Sequence, residues 1–191
     1  MASPVLTVVT GRPGTGKTTL ARSLAREIGC PAIVHDEVTQ GMVLANSPTR
    51  TTGLDLAFER PALTVFFDVI AVLARAGVTA VAEAALPGRL WHPRLEALTG
   101  LAQFRILLCT APTSIVRARI QQRIETDPNR RARSDELLES VDPDTAPERE
   151  FDPGIATVPM LTVDTTHGYQ PGLVAISRFA TRPDPDEALE A

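Results

Sequence analysis

The sequence predicts an α/β fold in which a parallel sheet of five strands lies between two layers of helices. One observation and one rule of topology predict it. Short apolar segments of strand length alternate along the chain with longer segments whose apolar residues recur at helical spacing. Strands that are separated by helices form parallel βαβ units, and such units build a three-layer sheet. The 191 residues are enough for one domain with a sizeable core.

The first strand is predicted at residues 5–9, and it is followed by a helix at residues 18–28 that Gly29 is placed to end. The next long helix, at residues 62–76, is framed by Pro61 before it and Gly77 after it. The other predicted strands cover residues 32–35, 78–83, 104–109 and 160–164, and the other predicted helices cover residues 89–98, 113–124 and 173–179.

Composition restricts the kinds of partner. The net charge is −4 and there is no basic tail, which argues against broad binding to nucleic acids or anionic membranes. The longest apolar runs are too short to cross a bilayer. Cys30 and Cys109 lie far apart in the sequence, so we do not expect a disulfide framework. We expect a cytoplasmic location instead.

A glycine-rich motif follows the first strand. Residues 11–18 read GRPGTGKT, which fits the pattern G-x-x-x-x-G-K-[ST] between a strand and a helix. Glycines let backbone N–H groups curl around phosphate oxygens, and the helix N-terminus adds partial positive charge. We therefore expect a nucleotide with Mg²⁺ here, with the Thr18 hydroxyl on the metal. The expected nucleotide-binding residues are Gly11, Arg12, Pro13, Gly14, Thr15, Gly16, Lys17, Thr18 and Thr19.

Lys17 is the only lysine in a chain that has 18 arginines. Arginine carries a wide planar fork, whereas lysine carries a compact charge on a thin stem. The retention of lysine at this position indicates that the site needs the compact charge, which would reach the β- and γ-phosphates.

The second apolar segment leads into two acidic residues, in PAIVHDEVTQ, and Asp36 follows Lys17 by 19 residues. That spacing leaves room for one helix and one strand, so Asp36 is expected at the carboxyl edge of the second strand, where ligands of such sheets bind. In this respect the chain resembles small P-loop kinases such as shikimate kinase, gluconate kinase, chloramphenicol phosphotransferase and the zeta-toxin group. The resemblance implies a P-loop NTPase fold with strand order 2-3-1-4-5, ATP with Mg²⁺, and an Asp36 that contacts the hydroxyl of the phosphate acceptor. No N-K-x-D stretch occurs, which weakens a GTPase interpretation.

The same resemblance extends to three further segments. TAVAEAALPG places Glu83 where related kinases carry an acidic residue near Mg²⁺. PTSIVRARIQQRIETDPNRRARSDE resembles their arginine-bearing lid, which implies that Arg119 and Arg123 contact the nucleotide and that Arg123 is catalytic. MLTVDTTHGYQPG resembles the strand and turn that lie beside the adenine in these kinases, which implies that Thr165 helps to bind the nucleotide.

Each assignment has a structural alternative. Asp36 could be a helix cap, with Glu37 as the functional acid, and Glu83 could be a solvated strand end. Of the lid arginines, Arg119, Arg123, Arg130 and Arg131 are the candidates for phosphate contact, and each could instead lie on a solvated helix face. The three histidines have no metal-ligand spacing and are expected to be surface or structural residues. The aromatic residues Phe58, Phe66, Phe67 and Trp91 could form an acceptor pocket or simply fill the core.

The expected organisation is one kinase domain over residues 1–182, with an acceptor segment at 38–75, a lid at about 117–135 and a flexible acidic tail at 183–191. The expected function is ATP- and Mg²⁺-dependent transfer of the γ-phosphate to a hydroxyl of a small molecule, such as a metabolite, nucleoside or antibiotic. Lys17, Asp36 and Arg123 are the catalytic candidates. The alternative is an ATP-dependent switch or ATPase that acts on a protein partner. We expect a monomer or homodimer.

Overall fold

The computed structural model describes residues 3–46, 56–126 and 158–182. The strands are β1 Val5–Gly11, β2 Ala32–Val34, β3 Ala80–Glu83, β4 Gln103–Thr110 and β5 Met160–Asp164. The helices of the described ranges are α1 Lys17–Ile28, α2 His35–Asn46, α3 Leu56–Arg75, α4 Gly88–Glu96, α5 Thr113–Thr126 and α6 Leu173–Thr181. The predicted tail at 183–191 lies outside these ranges.

The five strands form one sheet in the order β2-β3-β1-β4-β5, and every neighbouring pair is parallel. The predicted strand order is therefore confirmed. Because parallel strands point the same way, all five carboxyl ends meet at one edge of the sheet. Glu83 ends β3, the second strand of the sheet, in register with Val9 of β1 on one side and Val34 of β2 on the other.

The sheet is covered on both faces because successive strand residues point to opposite sides. On one face, Leu6 and Val8 join a core cluster with residues of α3 and α4. On the other face, Val9 joins a cluster with residues of α1 and α6. This alternation of buried residues within one strand gives the three layers that the sequence pattern predicts. In the described ranges, no helix is long and apolar enough to span a membrane.

The predicted end of the second strand, at residue 35, was one residue too late. β2 ends at Val34, and His35 already begins α2. The last ladder pair joins Val34 to Glu83, and beyond it the Thr39 hydroxyl donates a 3.0 Å hydrogen bond to the His35 carbonyl. The chain thus passes directly from strand to helix, with no turn residue to mark the change.

The start of α3 was also predicted wrongly, because Pro61 lies inside the helix rather than before it. Proline removes one backbone donor, and a loss so close to the start of a helix of 20 residues interrupts few bonds. The end of the helix agrees with the prediction. Gly77 has a φ of 72°, and the Val78 N–H bonds back to the Leu73 carbonyl at 2.9 Å.

Candidate active site

The glycine loop connects β1 to α1 at the carboxyl edge of the sheet. Gly14 and Gly16 have φ values of 82° and 80°, a backbone conformation that residues with a Cβ rarely adopt. A Cβ at Gly14 would lie 2.8 Å from Cγ1 of Val116, and one at Gly11 would lie 2.4 Å from the Cys109 carbonyl oxygen. The loop is therefore packed tightly against β4 and α5, and glycine is required at these places.

Lys17 begins α1 and is buried, with 6% of its surface exposed. Its Nζ donates a 2.9 Å hydrogen bond to the Arg12 carbonyl, and the Thr15 hydroxyl donates to the same oxygen at 2.8 Å. Burial lowers the pKa of Lys17, whereas the nearby charge of Glu83 acts in the opposite direction. The ammonium is thus held inside the loop, close to where a phosphate group would bring negative charge.

Thr18 at the start of α1 and Glu83 at the end of β3 are hydrogen-bonded to each other. The Thr18 hydroxyl donates a 2.9 Å hydrogen bond to Glu83 Oε2, and Glu83 is buried, with 4% exposed. Burial raises the pKa of Glu83, partly offset by Lys17 and by this hydrogen bond. A hydroxyl that donates its proton to a carboxylate keeps its lone pairs free, and hydroxyl and carboxylate oxygens suit Mg²⁺. The predicted metal residues Thr18 and Glu83 therefore lie together with fitting chemistry, and Glu83 is not a solvated strand end.

Asp36 lies in the first turn of α2, two residues beyond the end of β2. The carboxylate is half-exposed, and its charge partly offsets the lowering of the Lys17 pKa by burial and adds to the raised pKa of Glu83. Asp36 is therefore at the expected edge of the sheet, but on a helix rather than on a strand end. Its neighbour Glu37 turns away and forms an exposed ion pair with Arg22 of α1.

His35 was not singled out from the sequence, yet the structure buries it beside Asp36. Its side chain is 10% exposed, and Nδ1 lies 3.9 Å from Asp36 Oδ1. The ring packs edge-on against Phe66, with the two ring centres 5.4 Å apart. Within the described ranges, His35 Nε2 has no hydrogen-bond partner. An isolated histidine in an apolar stretch gives no sequence signal for such a position.

Arg119 of α5 reaches the end of β5. Its Nη1 donates a 3.1 Å hydrogen bond to the Thr165 hydroxyl, and Nη2 donates to the carbonyls of Thr165 and Thr166. The Thr165 hydroxyl in turn donates to the Thr15 carbonyl of the glycine loop at 2.7 Å. A Cβ placed on Gly16 would be 3.8 Å from Arg119 Nη1. The predicted residues Arg119 and Thr165 therefore both lie against the glycine loop, although they are far apart in sequence.

Arg123, one turn further along α5, is exposed, and its charge contributes to lowering the pKa of Lys17. It is therefore near enough to act on the same site. Of the remaining predicted nucleotide-binding residues, Thr19 is exposed in the first turn of α1 and Pro13 is half-buried in the loop. The lid residues Arg130 and Arg131 lie outside the described ranges.

The aromatic residues of the predicted acceptor segment belong mainly to the core. Phe66, Phe67 and Trp91 pack edge-on against one another, with ring centres 5.2 to 5.9 Å apart. Phe66 and Trp91 have no exposed surface. Of the two interpretations offered for these residues, core packing is the one that the structure supports. No group of three His, Cys, Asp or Glu side chains that could hold a metal ion occurs in the part of the chain described.

Comparison with known proteins agrees with this architecture. A candidate kinase from Chloroflexus aurantiacus superposes with a TM-score of 0.75 at 26% identity, over 100% of this chain and 98% of that one. The APS kinase of Mycobacterium tuberculosis, solved with AMPPNP and APS, gives 0.57 at 16% identity over the full length of both chains. A gluconokinase from Sinorhizobium meliloti gives 0.54 at 19% identity, over 94% of this chain and 91% of that one.

Among curated protein sequences, none matches the chain. The sequence profile of a family described as an AAA domain, AAA_33, matches residues 6–143, which include the glycine loop, Asp36, Glu83 and the whole predicted lid segment. With the fold of the small P-loop kinases around that loop, the chain belongs to the AAA_33 family.

Proposed function

We propose that the protein transfers the γ-phosphate of ATP to a hydroxyl group of a small molecule, with Mg²⁺ as cofactor. The observation that carries the proposal is the convergence of four side chains, which supply an ammonium, a hydroxyl and two carboxylates, at one edge of the sheet. Lys17 supplies a buried cation, Thr18 and Glu83 supply a bonded pair of oxygen ligands, and Asp36 supplies a half-exposed carboxylate.

Each group has a separate task in this reaction. The loop N–H groups and Lys17 would hold the phosphates and stabilise the charge of the transferred phosphoryl group. Thr18 and Glu83 would hold Mg²⁺, which when bound neutralises charge on the phosphate oxygens. Asp36 would orient the attacking hydroxyl and accept its proton, because its carboxylate is half-exposed and near enough to Lys17 and Glu83 to act on the pKa of both.

Arg119 and Arg123 of α5 would complete the nucleotide site. Arg119 already lies on the glycine loop through Thr165, and Arg123 acts electrostatically on Lys17. A guanidinium near the transferring group stabilises developing charge, and such arginines raise rates by several orders of magnitude. We assign Arg123 to the phosphoryl group and Arg119 with Thr165 to the rest of the nucleotide.

A second candidate is an ATPase that acts on a protein partner. The description of the matching family as an AAA domain favours it. The position of Asp36 favours the kinase, because it follows the glycine loop after only one helix and one strand.

The deciding experiment measures ATP consumption alone and with a panel of metabolites, nucleosides and antibiotics that carry hydroxyl groups. We expect slow consumption alone and fast consumption with one class of alcohol, together with a phosphorylated product. Lys17→Ala is the control for contaminating activity. ATP consumption that no alcohol accelerates, but that a protein fraction does, would contradict the kinase and support the ATPase.

A further inference from the structure

The outer face of α3 carries a continuous apolar stripe. It consists of Pro61, Val65, Val69, Val72 and Ala76, which follow one another at spacings of three or four residues, and all five are exposed. Val72 has 61% of its surface exposed. The helical turn continues through Ala76, whose N–H bonds to the Val72 carbonyl at 3.0 Å. This stripe spans about 22 Å at the helical rise per residue.

The stripe is not needed to hold α3 on the sheet. A separate, buried row of the helix already does so through Ala62, Phe66, Ile70 and Ala74, each at most 5% exposed. A helix at the surface of a monomer normally presents polar residues on its outer face. A row of exposed apolar residues along several turns is instead typical of an interaction surface.

Charged residues flank the stripe in a self-complementary order. Asp68 and Arg75 are both exposed and lie seven residues apart, which places them two turns apart on one side of the stripe. Neither forms an ion pair with another residue of the described ranges. In an antiparallel pair of α3 helices with its centre beside Val72, Asp68 of each copy faces Arg75 of the other. In a parallel pair, like charges would face each other.

We propose that the stripe is a homodimer interface, in which α3 pairs antiparallel with α3 of a second copy about a two-fold axis next to Val72. A two-fold axis makes the interface use the same patch twice, so each favourable contact is made twice. Valines then interdigitate along the centre, and the two Asp68–Arg75 pairs fix the direction and register. Because the stripe faces away from the sheet, the dimer leaves the carboxyl edge of both sheets open.

The first test measures the mass of the wild-type protein by sedimentation equilibrium from low micromolar to near-millimolar concentration. We expect a concentration-dependent dimer. Val72→Asp should raise the dissociation constant by about tenfold or more, since it places a charge at the centre of an apolar contact. The matched control is Val174→Asp, because Val174 is 57% exposed on α6 in the other helical layer. A wild-type protein that stays monomeric over the whole range would overturn the proposal.

The second test exchanges the charges. Asp68→Arg and Arg75→Asp should each weaken the dimer by about tenfold, because each makes two like-charge contacts. The double variant restores both pairs and should return to nearly the wild-type dissociation constant. Glu27→Arg is the control for the change in net charge, because Glu27 is an exposed residue of α1. A double variant that dissociates more readily than either single variant would contradict the register.

The third test distinguishes the antiparallel arrangement from a parallel one by oxidative cross-linking. In the Val72→Cys variant, the new cysteine lies next to the two-fold axis and should form a disulfide with the same cysteine of the second copy. In the Val65→Cys variant, the two equivalent cysteines lie about 20 Å apart in this arrangement and should not form a disulfide. The wild-type protein, with Cys109 buried and Cys30 half-buried, gives the background. Equal cross-linking at both positions would exclude the antiparallel pair.

Discussion

Thr18 and Glu83 are hydrogen-bonded at 2.9 Å, although 65 residues separate them in sequence. The bond ties the first turn of α1, which also holds Lys17, to the end of β3. Glu83 is buried, and this burial raises its pKa. Its charge is therefore unfavourable for folding in the protein without metal, which leads to the first prediction.

Glu83→Gln should increase stability and reduce magnesium-dependent turnover. Since burial raises the pKa of Glu83 in the folded state, its contribution to stability is full below its unfolded pKa and is lost as pH rises through the folded value. At neutral pH without Mg²⁺ or nucleotide, the neutral amide should therefore give a higher Tm than the carboxylate. Thermal unfolding from acidic to neutral pH checks this, and a lower Tm for the variant at neutral pH would contradict it.

Lys17→Ala should lower phosphoryl transfer by a few orders of magnitude, and Lys17→Arg should not restore it. The ammonium is buried and bonded to the Arg12 carbonyl at 2.9 Å, in a loop whose glycines leave no room for side chains. The wider guanidinium does not fit this place. Turnover with saturating ATP is the measurement, with circular dichroism as the control for folding. Wild-type turnover in Lys17→Arg would show that any cation suffices.

Asp36→Asn should lower acceptor-dependent turnover by about 10²–10⁴-fold, the usual range for a positioned acid or base. ATP affinity should hardly change, because the glycine loop is untouched. Glu37→Gln is the matched control, since Glu37 is the next residue and pairs with Arg22 on the surface. If Asp36 only stabilises the start of α2, asparagine should cost little turnover and at most about 1 kcal/mol of stability. An inactive Glu37→Gln beside an active Asp36→Asn would reverse the assignment.

His35→Phe should leave the Tm unchanged or raise it. The phenyl ring keeps the edge-on packing against Phe66 and removes Nε2, a buried nitrogen without a partner in the described ranges. An unpaired buried polar atom costs about 1–3 kcal/mol, and replacing it with carbon removes that cost. His35→Ala is the comparison, because it also removes the packing and should lower the Tm. A large loss of stability in His35→Phe would mean that the imidazole makes a hydrogen bond essential to the fold.

The sequence predicted the elements whose signals are local. The glycine motif, β1 and α1 follow one another within 28 residues, and the apolar segments fix the remaining strands. The change from β2 to α2 at His35 could not be predicted, since no glycine or proline marks it. The contact between Arg119 and Thr165 joins residues 46 positions apart and depends on how α5 lies over β5. Local patterns carry no information on how helices pack over strands. The exact place of Asp36 depends on such packing as well, in its case on the packing of α2.

The Thr165 hydroxyl bonds to the Thr15 carbonyl of the glycine loop, so a side chain near the C-terminal end of the chain supports an element near its beginning. During synthesis the glycine loop leaves the ribosome long before β5 is made. Until Thr165 emerges, neither its hydroxyl nor the carbonyls that hold Arg119 are available. A nascent chain therefore cannot complete this side of the glycine loop, and a nucleotide that binds there would support folding fully only after translation has passed β5.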